Sequence, residues 1–373
     1  MTMSGRISQS AFDGSRLRVI LLLDLYEGAQ EQFLEAYEHM RNKVASVPGH
    51  ISDQLCQSIE NPSQWLITSE WESAPPFLAW VNSEEHVETV RPMHSCVRDT
   101  RSMRYSVVRE TTPDRPLSDT ATAGLQSAVR VGDGVARHAL TFTVNPGSES
   151  KVAELLAGYE SPKAQVDDTT RLRRTSLFMH GNRVVRAVEV EGDLLAALRH
   201  VARQPEVRAV EEAINPYLEQ DRDLTDPESA RLFFTRAALP AVHHVTAGRP
   251  EPEGLRRHAL YYPAVRGRGM DLARFLAHQD EAAADDPDSP VYASTVFQRD
   301  DIVVRLVDVT GDLDLDPPAA LGIKGPGRAA ELRGLLDGAA IGVEGDLDSE
   351  RNLNRLLSHA DMLPVTDRSA AAS

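Results

Sequence analysis

The chain has 373 residues, 41% hydrophobic and 26% charged, enough for two or three domains that each bury a core. A net charge of −16 argues against nucleic acid or an anionic membrane as the main partner, since both repel it. Two cysteines, Cys56 and Cys96, exclude a disulfide framework and a cysteine-rich metal site and read as buried small hydrophobes; with no apolar run of ~20 residues and no signal-peptide core, a cytoplasmic protein is expected.

Residues 1–14 are polar and read as a flexible N-terminus. A first unit spans 15–112. Residues 17–26 form an apolar run that predicts a buried strand, and 27–44 a helix with Phe33, Tyr37, Met40 and Val44 on one stripe. Strands follow at 50–59 and 64–71 around the turn sequence Glu60-Asn61-Pro62-Ser63. A helix is predicted over 76–90, with Ser73 as N-cap and Pro92 just beyond its end, then a strand over 101–109. The order is βαββαβ, the ferredoxin-like split motif.

Residues 113–134 read as a linker. Beyond them lies an internal repeat. Arg137-His138-Ala139-Leu140 recurs as Arg257-His258-Ala259-Leu260, and the segment 182–193 recurs as 301–312. Repeat one spans 135–246, with strands at 137–144, 172–179, 183–190 and 231–236 and helices near 148–160, 194–203 and 207–217. A linker at 247–254 precedes repeat two, 255–367, whose end is less regular, and 368–373 read as a tail. The acidic stretch 281–288 reads as a solvated loop. The fold class is α+β: three ferredoxin-like units of the dimeric α+β barrel type. An antiparallel sheet with helices on one face must cover the other, so the two repeats are expected to pair within the chain and unit one to pair with a second copy.

Several segments carry a family resemblance. Gln64-Trp65-Leu66-Ile67-Thr68-Ser69-Glu70-Trp71-Glu72-Ser73, with Phe77 and His86 downstream, resembles the antibiotic biosynthesis monooxygenase family. Residues 135–240 resemble the SchA/CurD-like domain of polyketide and spore-pigment clusters through Arg137-His138-Ala139-Leu140, the segments 176–179 and 203–210, and Asn215-Pro216-Tyr217-Leu218. They are more distantly similar to tetracenomycin-type polyketide cyclases. The resemblance implies an enzyme that tailors aromatic polyketides: a monooxygenase that hydroxylates its substrate or oxidises it to a quinone, with O2 as co-substrate and no cofactor.

All three tryptophans, Trp65, Trp71 and Trp80, fall in unit one. Trp65 and Trp71 share a strand at even separation and so face the same side. They either fill the core or wall a site for a flat ring. Trp71 matches the family pattern and is the leading wall residue, with Phe77 beside it. His50, His86 and His94 are candidate polar handles. A neutral His86 can remove a phenolic or anthrone C–H proton, and Arg91 can stabilise the oxyanion formed. His86 and His94 do not form a metal-ligand spacing, and no glycine-rich nucleotide loop is present. Related quinone-forming oxygenases carry an asparagine four residues before the tryptophan, where this chain has Ile67, so Asn82 or Thr68 would supply that contact or the reaction differs. In the repeats, His138 with His258 and Arg186 with Arg305 occupy equivalent positions, which suits either a second cavity or a structural ion pair. The alternatives are a cyclase or aromatase acting through the repeats, and a non-catalytic polyketide-binding scaffold.

Overall fold

The computed structural model describes residues 6–108 and 132–370, apart from 324, 326 and 344. Most of the segment read as the 113–134 linker therefore lies outside the described residues. The chain forms two compact units, Ala11–Val129 and a larger one of Met1–Ser10 with Arg130–Ser373. The first short strand, β1 (Ser8–Ser10), belongs to the larger unit.

The smaller unit runs β2 (Leu17–Leu25), α1 (Gln30–Val44), β3 (His50–Gln57), β4 (Gln64–Trp71), α2 (Ala74–Val81), α3 (Glu84–His94) and β5 (Val97–Ser106). Its antiparallel sheet has the order β3-β4-β2-β5. Leu17, Val19, Leu23 and Leu25 of β2 meet the stripe Phe33, Tyr37, Met40 and Val44 of α1, all buried. The single helix expected over 76–90 is two. Ser83 breaks it, because its hydroxyl accepts the His86 backbone N–H at 3.1 Å and donates to the Trp80 carbonyl at 2.7 Å. Ser73 makes no side-chain cap bond, and Pro92 sits inside α3 rather than beyond it. Cys96 is buried as expected, but Cys56 is exposed, because its pairing with Leu66 places both on the sheet face away from the helices.

The larger unit contains β6 (Val135–Thr143), α4 (Glu149–Gly158), β7 (Arg171–His180), β8 (Arg183–Glu191), α5 (Leu194–Arg203), α6 (Pro205–Ile214), α7 (Pro227–Ala237) and β9 (Ala238–Thr246). The second repeat follows as β10 (Arg256–Pro263), α8 (Gly269–Ala284), β11 (Val291–Arg299), β12 (Ile302–Val309), four short helices and β13 (Leu363–Ser369). Residues 231–236, expected as a strand, are the end of α7. Asp226 accepts the Glu228 N–H at 3.0 Å with Pro227 in the first turn, which starts a helix, and Phe233 and Ala237 face the core. The fourth strand comes directly afterwards.

The repeats pair within the chain by exchanging their last strands. β9 closes the first repeat in sequence but pairs with β11 of the second, and β13 pairs with β7 of the first. Contacts of β6 with β9, and a hydrogen bond of 2.9 Å from the Met362 N–H to the Ala259 carbonyl on β10, roll the sheet into a barrel. Ala139, Phe178, Val185, Leu239, Phe297, Val304 and Leu306 fill its middle. β1 adds to β9, so part of the N-terminus expected to be flexible is paired. Arg368, read as tail, lies in β13 and stacks 4.8 Å over the Tyr159 ring. The acidic stretch is not simply a loop, since its start ends α8 and Glu281 pairs with Arg6.

The equivalent arginines of the two repeats are ion-paired toward the helices. Arg186 meets Glu211 of α6 at 2.5 Å, and Arg305 meets Asp280 of α8 at 2.6 Å. His258 lies 3.5 Å from Asp361.

Candidate functional site

The strand alternation of β4 turns Trp65, Ile67, Ser69 and Trp71 toward the helices of the smaller unit. Trp65 packs 5.5 Å from the Phe33 ring and donates to the Pro62 carbonyl at 3.1 Å, a core role. Trp71 is only 1% exposed. Its indole N–H donates to the Ser69 hydroxyl at 3.0 Å, while its ring takes the edges of His50 at 5.1 Å and Phe77 at 5.5 Å. The Arg104 guanidinium lies 5.5 Å over Phe77. His50 Nε2 stands 2.8 Å from Asp53 Oδ2. Burial holds the Asp53 carboxyl above its usual range, although the imidazole pulls it down. Burial, then the nearby Asp53, also pushes the Tyr37 hydroxyl up.

A second group lies one helical turn along α2. Trp80 takes the edge of His86 at 5.2 Å. Burial, then the charge of His94, pushes His86 down to about 4, so its imidazole is neutral at neutral pH. His86 Nδ1 and Asn82 Nδ2 are both buried and lack a hydrogen-bond partner. Leaving such atoms unpaired costs ~1–3 kcal/mol each, so each marks a position where a polar ligand atom fits. Phe77 and Trp80 are three residues apart, roughly 4.5 Å of helix rise.

Arg91 does not join either group. Its side chain is 51% exposed and reaches Glu88 at 3.7 Å, which corrects the expectation that it faces the ring of a substrate. Thr68, one of two suggested substitutes for the missing asparagine, pairs with Ile20 and Gln54 on the opposite sheet face. Asn82, the other, caps the end of α2, four residues before His86. Asp53 and Ser69 went unrecognised in the sequence. A bulge between His50 and Ser52 shifts the strand alternation, so that Asp53 and not Ser52 shares a face with His50. No group of three His, Cys, Asp or Glu side chains among the described residues is placed to hold a metal ion, and no described helix is long and apolar enough to cross a membrane.

A ferredoxin-like unit with this aromatic strand and a duplicated barrel behind it in sequence define a two-part protein. Residues 16–92 match the antibiotic biosynthesis monooxygenase family, and residues 135–247 match the SchA/CurD like domain. The chain belongs to the SchA/CurD-like family. It is 70% identical over 371 residues to "Polyketide synthase CurD" of Streptomyces cyaneus, covering 100% of both chains. It is 63% identical over 374 residues to the "42.8 kDa protein in whiE locus" of Streptomyces coelicolor, covering 100% of this chain and 92% of that one. "Protein SchA" of Streptomyces halstedii is 61% identical over 373 residues, with 100% and 98% covered.

Proposed function

We propose that the smaller unit is a cofactor-free oxygenase acting on a polycyclic aromatic polyketide, with His86 as base, Asn82 as contact to the substrate or oxygen, and Trp71, Phe77 and Trp80 as walls. The observation that carries this reading is the pair of unpartnered buried atoms, His86 Nδ1 and Asn82 Nδ2, beside the Trp80 ring. The name of the relative from Streptomyces cyaneus supports the substrate class. His50, fixed by Asp53, serves as a hydrogen-bonding handle for a phenolic oxygen at the Trp71 end.

Triplet O2 reacts slowly with closed-shell molecules because spin forbids the direct step. An electron-rich carbanion avoids this by passing one electron to O2, and the radical pair then recombines. The protein supplies the deprotonation, orientation and a dry site. Conversion of a ring methylene to a carbonyl balances without a reductant: CH2 and O2 give C=O and H2O. Hydroxylating an aromatic C–H would need two further electrons, so quinone formation is the favoured outcome. The test is O2 uptake by the full chain with 1,8-dihydroxyanthrone, corrected for the spontaneous rate. One O2 consumed per anthrone, and no conversion under argon, supports the reading. Equal conversion under argon overturns it.

The rate should depend on pH through His86. With its pKa lowered to about 4, turnover should rise through pH 4 and stay level from about pH 6 to 8, where the imidazole is already neutral. A rising limb near the ordinary histidine value of about 6.5 would remove His86 from the role.

The outer face of the smaller unit's sheet carries Leu22, 41% exposed, with Ile20, Leu66 and Met103 half-buried around it. We propose that a second copy covers this face. Leu22→Arg should then shift the sedimenting species from dimer to monomer, and an unchanged dimer would place the contact elsewhere.

A further inference from the structure

The barrel of the larger unit is built from two equivalent halves, and its polar end breaks that equivalence at one place. In the first half Ser176 pairs with Asp367 across β7 and β13. The Asp367 carboxylate takes the Ser176 hydroxyl at 2.8 Å and the Arg174 guanidinium at 2.8 and 2.5 Å. That ion pair plugs its side of the barrel end.

The matching residues of the second half follow from register. Thr295 stands for Ser176, His244 for Asp367, and Ala293 for Arg174. Thr295 still holds its partner, His244 Nδ1, at 2.9 Å. Yet alanine replaces the long arginine, and the strand neighbour of His244 on its other side is Gln9 of β1. His244 is 5% exposed, and its Nε2 is buried with no hydrogen-bond partner. The Nε of Arg137, whose guanidinium end is held by Asp133 at 2.5 Å, is likewise unpartnered. Leu306 pairs directly with Thr295, and both it and Phe297, 4% and 1% exposed, belong to the apolar core of the barrel.

Burial first, and then the Arg137 charge, push His244 down to about 3, so the imidazole is neutral. The surrounding charges are already matched. Arg257 is paired with Asp308 and Glu189, Arg174 with Asp308 and Asp367, and Arg137 with Asp133. That set holds three cations and four carboxylates, which disfavours an anion.

We propose that this end of the barrel is a second ligand site, which takes a neutral aromatic ligand with a hydroxyl beside a carbonyl. The oxygen pair meets His244 Nε2 and Arg137 Nε–H, and the ring lies on Phe297 and Leu306. This site is independent of the oxygenase reading.

The experiment uses the full chain with histidines carbon-labelled at Cε1 and 1,8-dihydroxyanthraquinone as the probe. The His244 signal is assigned by its loss in His244→Phe. Saturation should shift the His244 resonance, whereas shifts of His50 or His86 report on the smaller unit, so the two readings fail separately. His244→Asp combined with Ala293→Arg rebuilds the plug of the other half. That variant should keep its fold and lose one equivalent of bound probe by calorimetry. An unmoved His244 signal at saturation, or full probe stoichiometry in the folded double variant, overturns the proposal. Should the double variant not fold, the His244 signal of the unmodified chain decides.

Discussion

Asp280→Ala should unfold the larger unit at a markedly lower temperature. Arg305 and Asp280 are both 0% exposed. Two guanidinium nitrogens lie 2.9 and 2.6 Å from one carboxylate oxygen, and Ser294 donates to the other at 2.6 Å. A third guanidinium nitrogen donates to the Ala320 carbonyl, and burial pushes the neighbouring Tyr262 hydroxyl up to about 12. Removing the carboxylate strands a cation where no water reaches it, a loss of ~3–5 kcal/mol. In a unit of this size each kcal/mol is worth about 2–4 °C, so calorimetry should show its transition falling by roughly 10 °C. The double variant Asp280→Leu with Arg305→Met removes both charges and should regain most of the loss, because a buried pair is often replaceable by apolar side chains of similar volume. If the single and double variants melt together, the arginine finds another partner and the ion pair does not hold the helix to the sheet.

Much of this architecture was legible in the chain. The repeated Arg-His-Ala-Leu blocks and the matching 182–193 and 301–312 segments announced the duplication, and the stripe from Phe33 to Val44 announced α1. Pairing partners were harder to read. Strand β9 carries the same local pattern whichever sheet it completes, and only closure of the barrel, with β13 taking the reciprocal place, decides. The repeat kept Arg186 and Arg305 but moved their carboxylates, Glu211 on the third helix of its repeat and Asp280 on the first, so no alignment of the two halves identifies the partners. Around the candidate site the sequence named the aromatic residues that pack there but only some of the polar ones beside them. Asp53 depended on a bulge, and the isolation of His86 Nδ1 and Asn82 Nδ2 depended on Ser83 ending one helix and starting the next. Arg91 looked eligible by spacing from His86, yet it points to water.

His86→Ala should lower the oxygen-dependent turnover of 1,8-dihydroxyanthrone by ~10²–10⁴-fold, the usual worth of a positioned proton acceptor. Asn82→Ala should cost about 10²-fold if its amide faces the developing negative charge on oxygen, and the double variant should cost less than the product of the two, because both act on one intermediate. Stability tells this apart from a structural role. An ordinary buried polar side chain that is removed leaves its partner unsatisfied, whereas these two atoms have none, so each variant should lose only the packing of its own side chain, with no added cost of a stranded partner. Trp71→Ala is a poorer probe, since emptying so buried a position costs ~3–5 kcal/mol by itself. Added imidazole should restore part of the His86→Ala rate, with the recovered rate following the fraction of free imidazole that is neutral. If His86→Ala turns over the anthrone as fast as the parent while His50→Ala does not, the proton acceptor is the imidazole at the Trp71 edge, and the chemistry moves to the other end of α2.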